Sequence, residues 1–254
     1  MTRTRVGSVA AMVSVSLLVL AGCGDGDSGD GGSKAAESSP PAAAQSSGPN
    51  DFACLEGEQL KGSTTFELAD GSPVDGYLTG SGTTGIVLAH QSNLDVCSWV
   101  PAADELAKDG YRVLAVNSSA NEVDEAVAGA KLLREKGATK IVLMGASKGG
   151  TGSLAAAAVI DPPVSAVVSV SGPTTYGDVD ALAAAPKLTM PVYLIAGSAD
   201  GRFAENAKEL DKALKSAKGK KLELVDAGEH GNFLLETYPE VWQRVKAFIK
   251  QATA

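Results

Sequence analysis

From residue 85 onward, short continuous apolar runs alternate with stretches in which apolar residues recur at helical spacing. Ile86–Ala89, Tyr111–Val116, Lys140–Met144, Ser165–Val170, Val192–Ala196 and Leu222–Val225 are rich in Val, Ile and Leu and have the length of strands buried on both faces. Between and after them, the spacing predicts helices over Trp99–Lys108, about Asn121–Lys136, Gly149–Ile160, Phe203–Leu214 and Tyr238–Lys250. Gly110 and Gly137 stop the first two of these. Two further strand candidates, Thr64–Leu68 and Val74–Leu78, come first, joined by the turn residues Asp70, Gly71, Ser72 and Pro73. Strands that alternate with helices form a parallel sheet covered on both sides. The expectation is an α/β fold with a mostly parallel eight-stranded sheet, opened by an antiparallel hairpin and flanked by helices. Residues 172–190 are too few for a large lid domain, so the lid is minimal.

The first 50 residues follow a different pattern. Arg3 and Arg5 precede an apolar run from Val6 to Leu20, which ends in Leu20-Ala21-Gly22-Cys23. A basic start followed by about 15 apolar residues is short for a bilayer span and has the layout of a secretory signal. The Leu-Ala-Gly-Cys ending resembles the lipobox of bacterial lipoprotein signals. That resemblance implies cleavage before Cys23, acylation of its thiol, and anchoring of the exported chain to the outer face of the cell membrane. Residues 24–50 hold six Gly, six Ser and three Pro, and none of the large apolar residues. With nothing to bury, they are expected to form a flexible tether of roughly 30 Å r.m.s. reach. The expected organisation is thus a signal over 1–22, a lipidated tether over 23–50 and one folded domain over 51–254.

Composition and charge narrow the function classes. At 44% hydrophobic and 20% charged, the chain is globular and not disordered. A net charge of -8, which becomes -10 once Arg3 and Arg5 leave with the signal, excludes the cationic surface that a nucleic-acid partner requires. It also disfavours direct docking on anionic lipid, which leaves the lipid at Cys23 as the membrane partner. Cys54 and Cys97 are the remaining cysteines. In an oxidising compartment such a pair is expected to form a disulfide, closing a loop worth roughly 4 kcal/mol on the chain-entropy model.

The candidate chemistry begins where the strand at 140–144 runs into Gly145-Ala146-Ser147-Lys148-Gly149 and then a helix of very small residues. A sharp strand-to-helix turn forces its central residue into a strained conformation, and the flanking glycines relieve the crowding. Ser147 would then stand at the carboxyl edge of the sheet, where α/β proteins place their ligands. A serine hydroxyl needs a general base, and the chain holds two histidines. His230, in the loop between the last strand and the last helix, can reach that edge. His90, at the end of the strand at 86–89, is expected to support its loop. An acid must orient the base. Asp200 follows the strand at 192–196 and is preferred over Asp178 and Asp226, although it could instead cap the next helix. No P-loop, dinucleotide fingerprint or metal-ligand cluster appears, so no cofactor and no metal are expected.

Strand, Gly-Ala-Ser-Lys-Gly, helix, then Asp200, then His230, in that order, resembles the α/β-hydrolase superfamily over nearly all of residues 60–254. The likeness is closest to the small, lid-poor esterases and dienelactone-hydrolase-like members. Dienelactone hydrolases use a cysteine nucleophile, and Ser147 departs from that pattern. The resemblance implies an oxyanion hole made by the backbone N–H of Lys148 and by that of Ser92 or Gln91. The Lys148 side chain is expected to point to solvent, and Trp99 to pack against the disulfide. The implied activity is hydrolysis of small or extended carboxylic esters through an acyl-enzyme, by a monomer. The alternatives are amide hydrolysis or acyl transfer on the same three residues, or a non-catalytic binding lipoprotein that keeps the scaffold.

Overall fold

The computed structural model describes residues 50–119 and 121–254. The expected signal, the tether up to residue 49 and the lipidation site at Cys23 lie outside the described residues. Eight strands form one sheet: β1 (Ser63–Glu67), β2 (Pro73–Thr79), β3 (Thr84–Ala89), β4 (Arg112–Val116), β5 (Lys140–Ala146), β6 (Ala166–Val170), β7 (Val192–Gly197) and β8 (Lys221–Val225). Their order is β1-β2-β4-β3-β5-β6-β7-β8. The hairpin β1–β2 and the β2–β4 pair are antiparallel, and every other pairing is parallel. This is the α/β-hydrolase fold.

The continuous apolar runs are explained by two cores, one on each face. Along β3, β5 and β6, Ile86, Leu88, Val142, Met144, Val168 and Val170 point to one side, while Val87, Ile141, Leu143 and Val167 point to the other. The first face is covered by α1 (Val100–Lys108) and the C-terminal helices α6 (Asn232–Thr237) and α7 (Pro239–Ala252). The second is covered by α2 (Glu122–Glu135), α3 (Lys148–Ala157) and α5 (Arg202–Ala213). Both faces are dry, so successive side chains of a strand must all be apolar.

The structure departs from the expected elements at several places, including the short 3-10 helices Gly57–Gly62 and Val96–Trp99. Helix α3 stops at Ala157, three residues short of the expected end, with Ala158 as its C-cap. The six-residue α6 lies immediately behind His230. Between β6 and β7, Thr175–Tyr176 pairs with Val179–Asp180 in a small antiparallel ribbon, followed by the short α4 (Ala181–Ala184). The Cys54–Cys97 disulfide is formed, with the two Cα atoms 5.9 Å apart, and ties the start of the domain to the segment ahead of α1. Trp99 is buried in the same cluster, as expected.

Candidate active site

Ser147 occupies the turn between β5 and α3 with φ 49° and ψ −118°, a left-handed conformation that a non-glycine residue adopts only under constraint. The constraint is backbone against backbone. A Cβ at Gly145 would lie 2.1 Å from the Gly149 carbonyl oxygen, and one at Gly149 would lie 2.3 Å from that of Ala89. The two glycines therefore let the elbow close onto itself and onto the end of β3. Ser147 Oγ makes no hydrogen bond among the described residues and keeps some contact with solvent.

His230 lies in the loop after β8, with Nδ1 at 2.9 Å and 3.1 Å from the two carboxylate oxygens of Asp200. Asp200 is buried, and among the described residues its carboxylate oxygens bond to His230 and to no backbone N–H of α5. Asp178 sits exposed in the turn of the ribbon, and Asp226 is exposed beyond β8. Nδ1 carries the proton given to Asp200, which leaves Nε2 as the basic nitrogen. Phe203, the second residue of α5, packs on the imidazole with ring centroids 4.1 Å apart. No hydrogen bond joins His230 to Ser147 Oγ among the described residues.

The neighbouring loops bring these residues to one edge. Gly231 has φ +60°, and a Cβ there would lie 3.4 Å from the Ala146 side chain, so the His230 loop packs directly beside the elbow. Gly231 N–H donates to Ser171 Oγ at 3.1 Å. Asn232 N–H donates to the Gln91 side-chain oxygen at 2.9 Å, which ties the His230 loop to the loop after β3. Gln91 enters the sequence reading only through its backbone; its buried side chain is a clasp that no local pattern signals.

As the first residue of α3, Lys148 offers a backbone N–H with no intrahelical acceptor, and no other backbone group takes it up among the described residues. Its side chain does not point to solvent as expected. It is buried, with Nζ 3.3 Å from Glu122 Oε1 and donating to the Ser118 carbonyl at 3.2 Å. The small residues of α3 allow this, since α2 packs so closely that a Cβ at Gly152 would lie 2.4 Å from Glu122 Cβ. His90 has the supporting place expected of it. Buried, it donates Nδ1–H to the Gln91 carbonyl at 2.8 Å. Burial holds its imidazole below the usual histidine range, against the pull of that carbonyl, and the Lys148 charge pushes the same way.

Against known families, residues 102–252 match the dienelactone hydrolase family. This chain belongs to that family. The dienelactone hydrolase match spans α1 to α7 and so includes Ser147, Asp200 and His230. No curated protein matches the chain. Among solved structures it is similar to the Pyrococcus furiosus esterase Pf2001, at 18% identity and a TM-score of 0.65 over 74% of this chain and 89% of that one. It is also similar to a dienelactone hydrolase from Anabaena variabilis, at 24% identity and a TM-score of 0.55 over 65% of this chain and 85% of that one. A lipase-esterase related protein from Clostridium acetobutylicum aligns at 14% identity and a TM-score of 0.58, over 69% of this chain and 99% of that one. At these identities the likeness is one of fold.

Proposed function

We propose that this member of the dienelactone hydrolase family is a serine hydrolase of carboxylic esters, exported and held at the outer face of the membrane by a lipid on Cys23. The observation that carries the catalytic reading is the pairing of His230 Nδ1 with the buried Asp200 carboxylate, in a loop packed against the strained Ser147 turn. In the proposed reaction, His230 Nε2 takes the Ser147 hydroxyl proton as Oγ attacks the ester carbonyl, and Asp200 stabilises the imidazolium that forms. The developing oxyanion accepts from Lys148 N–H and from Ser92 or Gln91 N–H. The imidazolium returns its proton to the leaving alcohol, and water then releases the acyl group by the same route. Hydrogen bonds of this kind tighten on substrate binding, which accommodates an unpartnered Ser147 Oγ in the free protein. The Cys54–Cys97 disulfide supports an oxidising compartment, and so supports export.

Turnover of a short p-nitrophenyl ester, together with labelling by a fluorophosphonate, tests the reading. Ser147→Ala should abolish both while the fold survives. A variant that hydrolyses the ester as fast as the wild type would rule Ser147 out as nucleophile. A wild-type protein inert to both reagents would favour the non-catalytic scaffold.

A further inference from the structure

Between α1 and the C-terminal helices, a cavity of about 210 Å³ opens to solvent. Helical spacing builds its walls. Pro101, Ala102 and Glu105 share one face of α1, and Leu235 and Glu236 project from α6 opposite them. Trp99, just ahead of α1, and Trp242, in the first turn of α7, add two indoles to the lining. Ser147, Asp200 and His230 are not among the lining residues, so the cavity is separate from the candidate active site.

The charge around the cavity is one-sided. No Lys or Arg lines it. Glu236 is exposed at the rim and makes no ion pair among the described residues. Trp242 Nε1 donates to Glu105 at 2.7 Å, while Lys246 pairs with Glu105 and, at 3.2 Å, with Asp109. Three carboxylates, Glu105, Asp109 and Glu236, thus meet the single ammonium of Lys246. That surplus repels an anion and favours a cation, as does the net charge of -8 on the whole chain. The indoles act in the same direction, since the face of a tryptophan ring attracts an ammonium held within about 6 Å of its centroid. Size is also suitable. An apolar cavity of roughly 150 Å³ takes a benzene ring, so this one has room for a ring together with an ammonium group.

We propose that this cavity binds a small organic cation, an ammonium carried on an apolar ring. The ring lies against Trp99, Trp242 and Leu235, and the charge sits at the Glu236 rim. The site does not depend on the serine-esterase reading of Ser147.

Trp99 and Trp242 are the only two tryptophans in the chain, so intrinsic fluorescence reports on this cavity. Benzylammonium, benzyl alcohol and benzoate share one shape and differ in charge, and titrating each into the whole protein at pH 7 tests the site. Benzylammonium should give a saturable change, benzyl alcohol should bind roughly 3- to 10-fold more weakly, and benzoate should not bind. Glu236→Gln should weaken benzylammonium by roughly 2- to 5-fold and leave benzyl alcohol unchanged. Ala102→Phe, which fills the cavity, should abolish both signals, with a thermal scan to show that the variant is folded. No saturable change with benzylammonium, or a benzyl alcohol or benzoate affinity equal to it, would overturn the proposal. So would binding that persists in folded Ala102→Phe. Should that variant not fold, the Glu236→Gln comparison decides: weakening of both ligands alike, or of neither, overturns the proposal.

Discussion

Lys148 Nζ sits 3.3 Å from Glu122 Oε1, with the two side chains only 8% and 4% exposed. The residue that follows the candidate nucleophile is thus tied by its side chain to the first residue of α2, while its backbone N–H remains free at the start of α3. A buried ion pair adds little net stability, but breaking it leaves a lone charge in a dry environment. Lys148→Met alone and Glu122→Gln alone should each destabilise the domain, by about 3 kcal/mol for the lysine variant. Lys148→Met combined with Glu122→Leu should recover most of the loss. Urea unfolding of the three variants checks this, and additive losses would show that the pair acts as two independent sites.

Asp200→Asn should leave the fold intact and cut ester turnover by roughly 10^4-fold, as loss of the carboxylate leaves the imidazole in the wrong tautomer. Comparison with Asp178→Asn separates the two carboxylates. The second change alters an exposed turn residue of the ribbon and should leave kcat unchanged.

Gly231→Ala places a Cβ at φ +60°, only 2.1 Å from Gln91 Oε1. Either the loop shifts or the Gln91–Asn232 bond breaks, at a cost of about 1–3 kcal/mol. Because His230 is the preceding residue, the variant should lose activity at temperatures where it is still fully folded. Circular dichroism and turnover measured at the same temperature will show whether the two effects separate.

Reduction of the Cys54–Cys97 bond, or Cys54→Ser with Cys97→Ser, should lower unfolding stability by about 2–5 kcal/mol without changing the family fold. A thermal scan with and without a reductant measures this directly.

Helices α1 and α7 are joined where Lys246 pairs with Glu105 and Asp109, and Trp242 Nε1 donates to Glu105 at 2.7 Å. The Lys246 ammonium beside Glu105 holds its carboxyl below the usual glutamate range, with Trp242 adding to the effect against partial burial. A carboxyl depressed in the folded state contributes stability above its unfolded pKa and loses it as pH falls through the folded value. Glu105→Gln should therefore destabilise modestly at pH 7, by up to about 1 kcal/mol for so exposed a pair. The gap to wild type should close below about pH 4. Stability curves at pH 7 and pH 3.5 test the sign.

The five central parallel strands were legible because a strand buried on both faces is a run of Val, Ile and Leu, and the hairpin at 63–79 because Asp70, Gly71, Ser72 and Pro73 mark its turn. The Ser147 turn was legible for a related reason, since Gly145 and Gly149 mark where backbones touch. The ribbon at 175–180 and helix α6 were not. Each is too short for periodicity, and the ribbon exists through its own pairing and its anchorage on Thr151 and Ser92. Likewise the charge of Lys148 suggested solvent, while the small residues of α3 opened a buried place for it beside Glu122.

The sequence by itself determined the order of strands and helices, the strained serine turn, and the short set of acids and histidines at strand ends. Only the tertiary structure decided that Asp200 faces His230, that Gln91 clasps Asn232 and that Tyr176 reaches Ser92, across separations of 30, 141 and 84 residues. Those partnerships depend on the paths that loops take once the sheet order has set their starting points, and a hydrogen bond is fixed by angle and distance at a scale finer than any local pattern of residues.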